Sequence, residues 1–152
     1  MRRERHDGLL RIHAEWRRQQ AGVEYRGLNT ATWLARLGMQ QFVKGFQRVP
    51  DGRLLGYNRR VPQDGRWAVR GKRFGFFHVG EVDPAAPDNH YLQALLLDYG
   101  AGGNARFDPS RGIRDYLVRV DAGSDELLIG RAFLAVGPFR PSPSFFLLER
   151  LR

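Results

Sequence analysis

Residues 126–151, which read ELLIGRAFLAVGPFRPSPSFFLLERL, decide the fold of this chain. Two runs rich in leucine and phenylalanine flank a central segment, 137–143, that holds one glycine and three prolines. Glycine and proline favour turns, and proline cannot donate to a strand ladder. The pattern therefore predicts an antiparallel hairpin, with strands over Glu126–Val136 and Ser144–Leu151.

The same two-residue period occurs upstream, between residues 40 and 79. Asp51-Gly52 and Asp64-Gly65 each stand between alternating runs, and Asp-Gly is a strong hairpin signal because glycine accepts the positive φ of a tight turn. This part of the chain is predicted to be a three-stranded meander. Its strands are expected over Gln40–Val49, Arg53–Val61 and Arg66–Val79.

Further short strands bring the total to about eight. They are expected over Val23–Gly27, His90–Tyr99, Ile113–Val120 and near Arg106-Phe107. Evenly spaced strands with no helices between them favour antiparallel pairing in a sandwich or a closed barrel. An eight-stranded barrel is just wide enough to be filled by side chains or to hold one small ligand.

Two helices are predicted before the meander. Leu9, Ile12 and Trp16 have the spacing of an amphipathic helix, which is expected over Arg3–Gln20. Asn29 and Thr30 are good N-cap residues for a short helix over Ala31–Leu37. We therefore predict a single domain over 1–152, with a helix in 1–20 and a β-rich barrel in 22–152.

Composition narrows the class of protein. The 152 residues are 42% hydrophobic and include no cysteine, which excludes disulfides and thiolate metal sites and fits a reducing compartment. The basic N-terminus is followed by Leu9-Leu10-Arg11-Ile12-His13, which breaks the apolar run of a signal peptide. Apolar runs elsewhere, such as Ala94–Leu97, are too short to span a bilayer. The protein is predicted to be cytoplasmic, without a membrane span and without a cofactor or metal.

The net charge is +9, and Lys44 and Lys72 are the only lysines among 25 basic residues. Residues 36–73 hold ten of the basic residues and two acids. Such a segment is consistent with binding of nucleic acid or an anionic surface through residues 44–73, or simply with solvated strand faces. The candidates for nucleic-acid contact are Arg59, Arg60, Arg70, Lys72 and Arg73.

Three stretches carry a family resemblance. Gly65-Arg66-Trp67 resembles the Gly-x-Trp motif of the lipocalin-like small β-barrels, and Arg150 resembles the basic residue that stacks over that tryptophan. The run Gly130–Phe133, followed by Phe145–Arg150, is similar to the C-terminal ends of uncharacterised bacterial lipocalin-like domains. The resemblance implies a lipocalin-like barrel, and members of this group bind hydrophobic small molecules.

Arg131 is the first candidate ligand contact. It shares a strand face with Leu127, Ile129 and Phe133, whereas the opposite face carries small and apolar residues. If the Arg131 face points inward, its guanidinium must be paired, and a ligand carboxylate or phosphate is a suitable partner. In the alternative, the small residues point inward and Arg131 lies in water.

The other candidates are aromatic or titratable. Trp67, Phe74, Phe76, Tyr99 and Phe133 could line an apolar cavity or could be ordinary core residues. His78 could titrate in a pocket or bind a metal, although a lone histidine on a strand is more often structural.

No catalytic sequence motif is recognisable, so catalysis would need a buried acid or histidine. Possible acid–base pairs are Asp115 with Tyr116, and His90 with Asp88 and Tyr91. The sequence leaves enzymatic activity open and favours its absence. The leading hypothesis is a binding protein for an apolar small molecule with an acidic head group. The alternatives are the nucleic-acid or anionic-surface binder and the small barrel enzyme.

Overall fold

A computed structural model describes residues 13–141 and 144–151, and eight strands run through them. The strands are β1 (Glu24–Asn29), β2 (Gln41–Arg48), β3 (Leu54–Arg60), β4 (Arg70–Glu81), β5 (Leu95–Asp98), β6 (Ile113–Arg119), β7 (Leu127–Leu134) and β8 (Ser144–Arg150). Each strand pairs antiparallel with the next one along the chain, and β8 pairs with β1. The sheet therefore closes on itself, which confirms the predicted mainly β architecture and the antiparallel barrel.

The closure joins the hairpin to the start of the sheet. β7 and β8 pair from Leu127 opposite Glu149 to Ala132 opposite Ser144, as the hairpin prediction requires. The other edge of β8 pairs with β1, where Tyr25 lies opposite Arg150. Closure satisfies the backbone groups that an edge strand would leave unpaired.

Strand alternation separates an apolar interior from the outer surface, because successive side chains point to opposite faces. The residues that fill the part of the interior toward the helix at residues 13–20 are fully or almost fully buried. They are Tyr25, Phe46, Phe77, Leu95, Leu97, Leu117, Leu128 and Leu148.

Four glycines lie directly opposite an aromatic residue on the neighbouring strand. The pairs are Gly27–Phe42, Gly45–Tyr57, Gly56–Phe77 and Gly130–Phe146. A β-carbon added at any of these glycines would come within 2.0 to 2.3 Å of a ring atom. Each ring therefore lies against the backbone of its glycine. Three of the rings, those of Phe42, Phe77 and Phe146, lie inside the barrel and follow its wall.

A helix, α1, covers one end of the barrel and is described over residues 13–20. Its Trp16 is 4% exposed and belongs to the interior cluster. The Arg119 guanidinium lies 4.8 Å from the centroid of the indole ring, and Arg17 forms an ion pair with Glu81 at 2.8 Å. The predicted helix is confirmed over 13–20, and its remaining part, 3–12, lies outside the described residues.

The opposite end carries the short helix α2 (Thr32–Arg36) and two 3-10 helices, Tyr99–Ala101 and Pro109–Gly112. The buried side chain of Asn104 bonds the backbone N–H and carbonyl of Phe76 at 2.8 and 2.6 Å. This contact fixes the connection between β5 and β6 against the barrel wall. In the part of the chain that the structure describes, no helix is both long enough and apolar enough to cross a membrane.

Two predicted strands differ from the observed ones. β5 begins at Leu95 instead of His90, because the rings of His90 and Tyr91 pack on the outer face of the barrel, where His90 stacks on Phe133 at 4.6 Å. β4 begins at Arg70 instead of Arg66, since residues 61–69 form a long connection.

Two smaller predictions also fail. No strand forms at Arg106-Phe107, where Phe107 is 89% exposed and a 3-10 helix capped by Asp108 follows. The N-cap of α2 is Ala31. The side chains of Asn29 and Thr30 donate to the carbonyls of Met39 and Phe145 instead of capping that helix.

Candidate functional site

The barrel contains a cavity of about 310 Å³ below the end that carries α2. Its volume is at the lower limit of small-molecule sites. The apolar part of its lining comes from the end connections and from the upper interior. It includes Leu34, Met39, Phe42, Phe74, Ile113 and Phe146.

Four polar residues, called here the polar cluster, form one wall and the floor of this cavity: Lys44, Asn58, Tyr99 and Asp115. Lys44 is on β2 and Asp115 on β6, so their contact bridges the barrel. The Lys44 Nζ lies 2.6 Å from the Tyr99 hydroxyl and 3.4 Å from Asp115 Oδ2. The side chains of Lys44 and Asp115 are 2% and 5% exposed, so this is a buried ion pair.

The Tyr99 hydroxyl makes all the hydrogen bonds that it can, whereas one oxygen of Asp115 makes none among the described residues. The Tyr99 oxygen accepts from Lys44 Nζ and from Asn58 Nδ2 at 3.2 Å, and its hydroxyl donates to Asp115 Oδ2 at 3.2 Å. Asn58 also donates to the carbonyl of Gly75 at 2.9 Å, where β4 is irregular. Asp115 Oδ1 is buried and finds no hydrogen-bond partner among the described residues. Most buried polar atoms have a partner, so this oxygen is a candidate ligand contact.

Aromatic rings surround the Lys44 amine. The Nζ lies 4.6 Å from the ring centroid of Phe77, 5.2 Å from that of Tyr99 and 5.3 Å from that of Phe146. Two of these rings belong to the glycine–aromatic pairs. Those glycines hold the rings close to the wall and leave space beside the amine.

Burial dominates the electrostatics of the polar cluster. It raises the pKa of the Asp115 carboxyl, against the opposing effects of Lys44 and of the Tyr99 hydrogen bond. It lowers the pKa of Lys44, against the attraction of Asp115. Burial and the Asp115 charge raise the pKa of Tyr99 well above its usual value, which keeps the phenol protonated. The shifts of Lys44 and Asp115 both favour neutral forms, as expected for charges removed from water.

The structure brings Tyr99 and Phe74 from the predicted set to the cavity. Phe133 also touches the cavity lining, but its ring packs outside, against His90 and Tyr116. Phe76 and His78 alternate with the interior residues of β4 and lie on the outer side of the strand. They therefore do not contact the cavity.

Arg131 lies on the outer face of β7. Its guanidinium is 5.0 and 4.9 Å from the ring centroids of Phe133 and Phe145, and it donates to the Tyr91 hydroxyl. Phe146 occupies the interior directly opposite Gly130, so the face of β7 that carries Leu128, Gly130 and Ala132 points inward and the Arg131 face points outward. The orientation with the small residues inside is the one observed.

Trp67 also lies outside, in the connection between β3 and β4, beside Leu127 and Leu147. The guanidinium over its ring belongs to Arg26, at 5.8 Å from the centroid, and not to Arg150. Arg26 is held there by two hydrogen bonds to Glu149, at 2.8 and 2.9 Å.

The predicted acid–base groups make other contacts, although the ring centroids of His90 and Tyr91 lie 6.5 Å apart. Tyr116 points outward from β6, whereas its neighbour Asp115 points inward. Asp88 contacts Arg140 at 2.5 Å and Arg114 at 3.4 Å, and His90 stacks on Phe133.

The basic candidates for nucleic-acid contact have varied surroundings. Arg59 lies 3.5 Å from Glu24, and the Arg73 guanidinium lies 3.8 Å from the Tyr57 ring centroid. Lys72 is exposed, and the Arg70 side chain is outside the description. Arg60 is exposed at the cavity mouth, 5.2 Å from the ring centroid of Phe74.

Sequence reasoning missed Lys44 and Asn58 and assigned Asp115 a different partner. A signal was present, because Lys44 lies between Phe42 and Phe46 in the same alternating phase. Asp115 lies in the same way between Ile113 and Leu117. Two residues of opposite charge, each alternating in step with the inward-facing residues of its strand, predict a buried ion pair.

His78 gives a pH-dependent prediction for stability. Burial, followed by the nearby charge of Arg53, lowers the pKa of His78 below its usual value. Between the folded pKa and the unfolded value the unfolded chain binds more protons, so stability rises with pH there and is lost on acidification. We expect the decrease in Tm between pH 8 and pH 5, the range in which histidine titrates, to be smaller for His78→Gln. An equal decrease in both proteins would contradict this.

Comparison of the chain with family models, curated proteins and solved structures gave no match. Within the described ranges, no group of three or more histidine, aspartate or glutamate side chains is placed to hold a metal ion. The candidate function therefore rests on the cavity and the polar cluster.

Proposed function

We propose that this protein binds a small, largely apolar molecule inside the barrel, with one oxygen of that molecule at the polar cluster. The observation that carries the proposal is the buried, unpartnered Oδ1 of Asp115 at the wall of a mostly apolar cavity. Apolar walls with a few convergent polar groups are typical of ligand sites. A closed eight-stranded barrel with an internal cavity also supports the proposed relationship to the lipocalin-like barrels.

The polar cluster favours a neutral oxygen over an acidic head group. A carboxylate beside Asp115 would add a second negative charge in a region of low dielectric. A ligand hydroxyl can donate to Asp115 Oδ1, and a carbonyl oxygen can accept from this group when it is protonated. An acid would instead need a cation at the mouth, and the exposed Arg60 is placed there.

The test is displacement of a neutral fluorescent probe, 1-aminoanthracene, by matched competitors. We expect decanol to displace the probe at lower concentration than decanoic acid. Tighter binding of the acid, weakened by Arg60→Ala, would instead indicate that the head group lies at the mouth. If neither compound is bound and the probe does not enter, the proposal fails.

Two adjacent residues on β7 provide matched variants. Ala132→Phe places a ring in the cavity and should abolish probe binding, whereas Arg131→Ala changes only the outer face and should leave it intact. Overpacking costs about 1–3 kcal/mol, so thermal unfolding of both variants must accompany the binding measurement. Loss of binding in Arg131→Ala alone would place the ligand outside the barrel.

A further inference from the structure

We propose that Lys44 forms a Schiff base with an apolar aldehyde or ketone that enters the barrel cavity. The inference rests on the proposed function and specifies a ligand class for the same site. It assigns to Lys44 a covalent role in addition to hydrogen bonding.

The geometry around Lys44 suits this chemistry. The amine is at the cavity wall, 2% exposed, and the rings of Phe77 and Phe146 stand 4.6 and 5.3 Å from it. These walls would hold an apolar carbonyl compound beside the nitrogen and exclude water, which otherwise hydrolyses imines. The Tyr99 hydroxyl at 2.6 Å fixes the position of the amine.

The protonation state that burial favours at Lys44 also suits attack at this position. An amine attacks a carbonyl only when it is neutral, and burial lowers the pKa of Lys44. The same burial raises the pKa of Asp115. Transfer of one proton from the Lys44 ammonium to the Asp115 carboxylate within the ion pair therefore gives a neutral amine beside an acid, which is the combination that imine formation uses.

The step balances within the cluster. The Lys44 nitrogen forms a bond to the carbonyl carbon, and one of its protons passes to the carbonyl oxygen through the Asp115 carboxyl, giving a carbinolamine. Asp115 then donates a proton to the hydroxyl, which leaves as water as the carbon–nitrogen double bond forms. A neutral amine and a neutral acid thus become an iminium and a carboxylate. No oxidant or reductant is required, and the buried pair stays balanced in charge.

The chain contains its own control for this reaction. Lys72 is the only other lysine and is exposed on β4. Every lysine adduct is therefore either at the buried or at the exposed position. An exposed lysine has no apolar walls to hold the aldehyde beside its amine.

The experiment incubates the full chain with cinnamaldehyde. Sodium cyanoborohydride traps the imine by reduction, and peptide mapping locates the modified lysine. Reduction adds the mass of the aldehyde less one oxygen. We expect modification of Lys44 to exceed that of Lys72 by about tenfold or more, because the cavity raises the local concentration of aldehyde. With glyceraldehyde, which is reactive but polar, the preference should disappear. The preferential adduct at position 44 should be lost in Lys44→Met, and it should remain in Lys72→Arg.

Failure of this inference can be distinguished from failure of the proposed function. Cinnamyl alcohol has the same apolar body and cannot form an imine, so its displacement of 1-aminoanthracene reports the cavity alone. Displacement without preferential modification of Lys44 overturns the Schiff base and leaves the binding function standing. Absence of both displacement and modification overturns both. Mapping of the wild-type adduct decides the question even if Lys44→Met does not fold.

Discussion

Lys44→Met should lower the free energy of unfolding by about 3–5 kcal/mol, because the substitution leaves the buried Asp115 carboxyl without its cation. The Lys44 and Asp115 side chains are 2% and 5% exposed, so water cannot replace the lost partner. Chemical denaturation at neutral pH measures the effect. Native proteins are stable by about 5–15 kcal/mol, so a loss of this size is easily resolved.

The control is a double-mutant cycle. Asp115→Leu alone should also be strongly destabilising, since it leaves a buried ammonium without its counter-charge. The double variant, Lys44→Met with Asp115→Leu, should be no less stable than either single variant, because apolar replacement of a whole buried pair is often neutral or favourable. If the two single effects simply add, the residues do not interact and the description of the polar cluster is incorrect.

Trp16→Ala should produce a loss of similar size, about 3–5 kcal/mol, by opening a void where α1 meets the barrel interior. The side chain is 4% exposed and packs in the interior cluster, beneath the Arg119 guanidinium at 4.8 Å. The substitution removes both the apolar burial and the cation–π contact. Chemical denaturation with tryptophan-independent detection, such as far-ultraviolet circular dichroism, provides the measurement.

Trp16→Phe is the matched variant for this position. The indole nitrogen of Trp16 is buried and has no hydrogen-bond partner in the described ranges. Replacing it with a phenyl ring therefore removes no hydrogen bond and keeps most of the apolar contact. We expect a clearly smaller loss than for Trp16→Ala. Equal losses would show that the indole nitrogen makes an essential contact.

The strands of this barrel could be predicted because their signals are local. Alternation and Asp-Gly turns indicate β2, β3 and the β7–β8 hairpin at nearly their observed limits. The strand predicted over His90–Tyr99 is longer than the observed β5, because His90 and Tyr91 have strand-forming side chains. Those side chains instead pack against Phe133 on the outside, and this tertiary contact overrides local propensity.

The candidate site was less predictable because it depends on which face of each strand points inward. The apolar neighbours of Arg131 on its strand face suggest an inward orientation, but those neighbours pack on the outer face. Lys44 and Asp115 are 71 residues apart in sequence and meet only across the closed barrel. Their alternating phase indicated burial, but the pairing of the two charges depends on the strand order.

Closure between β1 and β8 also shapes how the chain reaches this structure. Arg26 and Glu149, which join these two strands, are separated by 123 positions. Contacts between distant residues must overcome the entropy of a long loop before they contribute, so folding dominated by them is slow, on the order of milliseconds to seconds. During synthesis on a ribosome, β1 therefore lacks its second partner until the β7–β8 hairpin has emerged. Until then, its free edge remains open to pairing with another chain.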